Sequence, residues 1–190
     1  MKRVFSLASV FALVASAAFA QGGGAMPAPT KTTLAQGLQN GYNNVKRNLT
    51  EMAAKMADAD YNFQPTKDVR TYGQLFGHVA NAQFGTCAVL RGEANPNQGN
   101  DNEKKATKAE FVKALADSFA FCDPAFSALS DTNVTEMIKQ GQNEVARAGA
   151  AANLIAHSNE MYGTGVVYMR LKGLVPPSTE RANAMRRPGF

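Results

Sequence analysis

Leu154 to Ser178 reads LIAHSNEMYGTGVVYMRLKGLVPPS, and its spacing decides the fold class. No proline interrupts it before Pro176, and its apolar residues repeat with a helical period, Leu154, Met161 and Tyr168 on one line and Ile155, Tyr162, Val166 and Met169 on the next. That period predicts a core-facing helix. Gly173 is placed to end it, and Pro176-Pro177 to prevent its resumption. Into the apolar face is set His157, with Met161 one turn further on and therefore stacked above or below it. The chain has one other histidine, His78.

Three further stripes lie upstream. Leu38, Tyr42, Val45, Leu49, Met52 and Met56 alternate spacings of four and three and predict a helix over 30–57. Methionines at that spacing read as core filler. Asp58, Asp60, Asn62, Pro65 and Asp68 break the pattern into a loop that Tyr61 and Phe63 pin to the core. Thr71 can cap a second helix, 71–91, with Tyr72, Leu75, Val79, Ala82, Thr86 and Val89-Leu90 inward and His78 beside that stripe. Gly92 to Ala106, GEANPNQGNDNEKKA, is longer than a tight helix–helix turn and able to cross the end of a bundle. Thr107 and Glu110 form a capping box for a third helix, 107–129, whose stripe is Phe111, Leu115, Phe119, Cys122, Phe126 and Leu129. Pro124 inside it predicts a kink or restart near Cys122 to Asp123. Asn133 and Glu136 suggest a short helix through Lys139 that Gly141 ends, with Glu144 to Arg147 leading into the last helix, 146–172. The expected fold is an all-α four-helix bundle with no sheet of consequence.

At the N-terminus, Lys2 and Arg3 precede an uncharged apolar run that closes Ala18-Phe19-Ala20, the small-x-small ending a signal peptidase admits. Residues 1–20 are expected to be an export signal. The run is short for a bilayer span, so no stable membrane anchor is expected. Residues 21–29, rich in Gly, Ala and Pro, form a lead-in, 30–178 the bundle and 179–190 a C-terminal tail. Losing the signal lowers the formal charge of +5 by two. No basic run with interleaved aromatics remains, which argues against nucleic-acid binding. Asn48-Leu49-Thr50 and Asn133-Val134-Thr135 match the glycosylation sequon, too short a pattern to assign a role.

The order His157, Glu160, Tyr162-Gly163, Tyr168 to Gly173 and Val175-Pro176-Pro177 resembles the last helix of DinB-like proteins, a four-helix metalloprotein superfamily. Tyr61, Phe63, Pro65, Val69 to Leu75 and Gly77-His78-Val79-Ala80 resemble that family's loop and second helix. The resemblance spans roughly Thr30 to Ser178 and implies an up-down-down-up course, helices two and three running parallel across the long crossover. It also implies a metal site of three histidines, one on the second helix and two spaced i, i+4 on the last. His78 and His157 match two of these, and Met161 stands in the third position.

Two imidazoles from facing helices suit a borderline divalent ion such as zinc or nickel, but catalytic sites normally use three protein ligands, and a thioether prefers softer metals. The metal is therefore expected to be weakly bound or absent. Glu160, Tyr162 and Arg170 are candidates for the pocket wall or for orienting a ligand; Arg170 serves equally as a surface cation near a helix C-terminus. Cys87 lies nine residues beyond His78, on the opposite face of the helix, and cannot easily share its metal. Cys87 and Cys122 are either a disulfide, which parallel helices and an oxidising compartment would allow, or two buried thiols. No nucleophile constellation or phosphate loop is present: Ser158 is adjacent to His157 and points elsewhere. The reading is a periplasmic or secreted protein with a small-molecule ligand of unassigned identity and a homodimer allowed. It is either a metal-dependent hydrolase or transferase or a non-catalytic binding or stress-related bundle.

Overall fold

The computed structural model describes residues 31–186; the expected export signal and lead-in lie outside the described residues, as do positions 187–190. Four long helices carry the architecture: α1 (Leu34–Lys55), α2 (Tyr72–Arg91), α3 (Lys108–Ser127) and α4 (Arg147–Leu171). A shorter α5 (Pro177–Arg186) follows, and a two-stranded antiparallel hairpin, β1 (Met137–Gln140) and β2 (Asn143–Ala146), precedes α4. Single 3₁₀ turns occur at Asp58–Asp60 and Asn102–Lys104.

Capping fixes three helix starts. Thr33 with Gln36, Thr71 with Gln74, and Thr107 with Glu110 each form a reciprocal box in which the hydroxyl accepts from the third helical N–H and the longer side chain accepts from the cap N–H. Gly173, at φ 73°, closes α4.

Side-chain pairings define how the helices lie. Gly73 meets the Phe111 ring and Cys87 is bonded to Cys122, so α2 and α3 pair start to start and end to end and run the same way. Gly41 abuts Ile155 and Gly165 abuts Met52, which makes α1 and α4 parallel. Tyr42 stacks on Phe126 with 3.9 Å between centroids, while Lys108 Nζ donates to the Met56 carbonyl at 2.8 Å, so α1 and α3 are antiparallel. Leu75 near Gly165 and Arg147 donating to the Leu90 carbonyl at 2.6 Å do the same for α2 and α4.

An aromatic cluster forms where the loop after α1 returns. Tyr61, Tyr72, Phe76 and Phe111 have centroids 5.0 to 6.1 Å apart in the pairs they form. Burying a ring such as Phe111 contributes on the order of 1.5–3 kcal/mol. The Tyr72 hydroxyl donates to the Met52 carbonyl at 2.7 Å and the Tyr61 hydroxyl to the Ala53 carbonyl, so neither buried polar tip lacks a partner. Burial pushes both phenols well above their ordinary range.

Several expectations are corrected in whole or in part. The segment from Met137 to Ala146 is a hairpin, not a short helix and helix lead-in: Gly141, at φ 63°, opens a two-residue turn, and Ile138 pairs with Val145 across the strands. A glycine first in a two-residue loop and β-branched residues opposite one another favour a hairpin over a helix. Helix α4 ends at Leu171 and does not resume, but the double proline does not bar a new helix, because Pro177 opens α5 in the first turn, where a missing N–H costs nothing. Residues of the supposed tail therefore pack on α1, with Lys55 paired to Glu180 and Arg181 to Glu51 and Asn48. Of the kink or restart expected near Cys122 to Asp123, the restart is absent: α3 continues through Pro124 to Ser127. On α2 the buried surface departs from the expected stripe, since Phe76, Ala80, Gln83 and Cys87 are buried whereas Ala82, Thr86 and Val89 are only partly so. The helix packs against both α3 and α4.

Candidate functional site

Each histidine is set by its helix. His78 lies on α2, one residue after Gly77, and His157 on α4; the antiparallel packing brings their rings to a centroid separation of 4.9 Å with 66° between planes. Both are partly buried, with side-chain exposures of 26% and 29%. Met161 is 7% exposed one turn beyond His157. A cleft of about 530 Å³ beside the pair is lined by Arg70, Leu75, Glu103, Met161, Thr164 and Tyr168 among others.

The residue missing from the sequence reading is Glu103. Its Oε1 lies 2.6 Å from His78 Nδ1, and Arg70 Nε donates to Oε2 at 2.8 Å. Arg70 is itself held in place where its carbonyl accepts from the Tyr168 hydroxyl at 2.8 Å. Burial works to raise the Glu103 carboxyl, but the hydrogen bonds and charges of Arg70 and His78 outweigh it and hold the group below the usual carboxylate range. Its position in the polar crossover carries no periodic signal, so only the folded chain links it to His78.

His157 is less supported. Burial, then the neighbouring His78, lowers its pKa below the ordinary imidazole value, against the opposing charge of Glu160. Glu160 Oε2 is 3.9 Å from His157 Nδ1 on a side chain 70% exposed, a rim position with no direct hydrogen bond. Tyr162 and Arg170 do not line the cleft. The Tyr162 hydroxyl donates to Ser178 Oγ at 2.8 Å and accepts from the Ser178 N–H at 3.0 Å, tying α4 to the start of α5. Arg170 faces Thr179 at 3.4 Å on the exposed side. Both were candidates for the pocket wall, Arg170 equally for a surface cation, and α5 claims the face on which they lie.

Cys87 and Cys122 are joined, with Cα atoms 5.2 Å apart and both residues fully buried. They belong to the α2–α3 seam, away from the histidines. A second concavity, about 580 Å³ between α1 and α3, is also separate: Lys46 Nζ binds both Asp123 oxygens at 2.7 Å and the Tyr42 hydroxyl donates to Oδ1 at 2.8 Å.

Do the residues fit a metal? Zinc–nitrogen bonds near 2 Å put the centroids of two rings sharing one tetrahedral ion about 5 Å apart, comparable to the spacing of His78 and His157. The ring spacing is therefore of the size a two-nitrogen site requires. Among the described residues, no group of three or more His, Cys, Asp or Glu side chains has metal-holding geometry.

No curated protein matches the chain. Among solved structures it is similar to a DinB-like protein from Bacillus cereus ATCC 10987, with a TM-score of 0.62 at 16% identity over 75% of this chain and 95% of that one. A conserved protein from Enterococcus faecalis gives 0.60 at 16% identity, covering 74% and 98%. A DinB-like protein from Bacillus subtilis gives 0.58 at 15%, covering 72% and 92%. At these identities the likeness speaks to the fold alone. The sequence profile of the DinB superfamily matches residues 42–164, a span that includes both histidines, Glu103 and Met161; the chain belongs to the DinB superfamily.

Proposed function

We propose that this is an exported DinB-superfamily protein in which His78 and His157 hold a borderline divalent ion, zinc or nickel, weakly beside the α2–α4 cleft. The observation that carries the reading is the 4.9 Å ring separation across two facing helices, with the buried Met161 one turn from His157. A divalent ion there supplies Lewis acidity. The chain's own contribution is to present two ring nitrogens, to keep Met161 in a position where a third imidazole would bind more firmly, and to leave the cleft open to a small molecule. Weak retention favours a binding role for the bundle. A metal-dependent hydrolase or transferase is the second reading, supported by the cleft volume and by Arg70 and Tyr168 at its wall. Export is supported by the charged, apolar, small-x-small order of residues 1–20 and by the Cys87–Cys122 bond, which suits an oxidising compartment outside the cytoplasm.

Isothermal titration of untagged protein with zinc and nickel tests the site. Wild type is expected to bind weakly, Met161→His to bind at least about tenfold more tightly, and His78→Ala to lose binding. Equal zinc affinity for wild type and Met161→His would remove position 161 from the site and overturn the reading. N-terminal sequencing of the mature protein, expected to begin at Gln21, tests export.

A further inference from the structure

The crossover between α2 and α3 is fastened to α2 by a set of contacts that serve one outcome, the delivery of Glu103 to His78. Asn81, three residues beyond His78, is the anchor. Its Oδ1 accepts from the Asn102 N–H at 3.1 Å, from Asn102 Nδ2 at 2.9 Å and from Asn97 Nδ2 at 3.2 Å, while its Nδ2 donates to Asp101 Oδ1 at 2.9 Å. Asp101 Oδ1 also accepts from the Glu103 N–H at 3.0 Å, capping the 3₁₀ turn that carries the glutamate. Asn102 is 5% exposed. Gly77 lets this turn approach: a β-carbon there would collide with the Asn102 carbonyl and the Glu103 nitrogen, both backbone atoms that cannot swing aside. Arg70 then holds Oε2, leaving Oε1 against His78 Nδ1.

We propose that Glu103 is a positioning residue for His78: its ionised carboxylate fixes the neutral imidazole as the Nδ1–H tautomer and leaves Nε2 as the ring atom with a free lone pair. An ionised carboxylate can only accept, so the ring nitrogen facing it must carry the proton. A carboxylate behind a ligating imidazole also raises the basicity of the opposite nitrogen and fixes the ring's orientation.

The test is nitrogen-15 NMR of the histidine rings in chelator-treated, metal-free protein at a pH of about 8.5, above the ordinary imidazole range. Wild-type His78 is expected as Nδ1–H. Glu103→Ala shifts it to Nε2–H, the form an unconstrained side chain favours, and Glu103→Gln does the same, because its single amide oxygen is claimed by Arg70, a donor only, and its NH2 then faces the ring nitrogen. Gly77→Ala, which alters no side chain of the site, reproduces Glu103→Ala; Gly85→Ala on the same helix, with open space around it, leaves the tautomer unchanged. If Gly77→Ala does not fold, the Glu103→Ala and Glu103→Gln pair decides the matter. Wild-type His78 in the Nε2–H form, or a tautomer indifferent to Glu103→Ala, overturns the proposal. A second measurement rests on the metal reading above: zinc affinity falls about 10–100-fold in Glu103→Ala. Absence of zinc binding to wild type would sink that reading and leave the tautomer result standing.

Discussion

Helix α2 has two seams of opposite character. Toward α3 it presents Gly73 to the Phe111 ring and Cys87 to Cys122, all buried, apolar and covalently closed. Toward α4 it presents His78 to His157, partly exposed, charged at Glu103 and Arg70, beside a cleft that Glu103, Arg70 and Met161 line. The nine-residue step from His78 to Cys87 corresponds to two and a half turns, so one rigid helix separates the two environments. One face can thus hold the bundle together while the other carries polar groups at a boundary where water screens them and a ligand can reach them.

The sharpest way to break this contrast is to cut each seam in turn. Phe111→Ala is expected to destabilise by about 3–5 kcal/mol in urea unfolding, since a buried ring is lost and the space beside Gly73 stays open. A loss under about 1 kcal/mol would mean the α2–α3 seam is not the structural one. Replacing Cys87 and Cys122 together by Ser opens a link between residues 35 apart in sequence, and should cost about 2–4 kcal/mol while leaving zinc titration unchanged. A parallel loss of metal binding would show the seams to be coupled.

On the other seam the expected effects are smaller in stability and larger in binding. Met161→His should gain about 1.4 kcal/mol or more in zinc binding, the equivalent of tenfold, with little change in the unfolding midpoint of the metal-free protein. His78→Ala should cost less than about 1 kcal/mol of stability, because the ring is partly exposed and Glu103 keeps Arg70 as partner. A loss of several kcal/mol would make the histidine a core residue.

The smallest effect is in pH dependence. His157 has a folded-state pKa below its unfolded value of about 6.5, so the unfolded chain binds more protons between the two. The stability this contributes is complete above the unfolded value and is lost as pH falls from there through the folded value. Urea midpoints measured from pH 7.5 to 5.5 should therefore decline more steeply for wild type than for His157→Gln. Parallel curves would show that burial at position 157 has no energetic consequence.

The four long helices were legible because each stripe repeats over several turns and three begin at reciprocal caps, signals local enough to survive without knowledge of neighbours. The hairpin was not, since Asn133 and Glu136 imitate a helix start over a stretch where Ile138 and Val145 find each other only across a turn. Helix α5 was obscured by reading Pro177 as a stop when it was equally able to be a start.

At the site, helical periodicity in the sequence set Met161 one turn from His157 and Cys87 opposite His78, while the pairing of the two histidines was what the resemblance to DinB-like proteins implied. Tertiary structure alone decided that Glu103 and Arg70 join His78 and that Tyr162 and Arg170 turn toward α5. It also brought the two cysteines within bonding distance. The physical reason is that a helix fixes the angles of its own side chains every 3.6 residues, whereas a loop's carboxylate is placed by whatever will accept its backbone. Here that is a glycine with no β-carbon at position 77 and one asparagine carbonyl with three donors to satisfy.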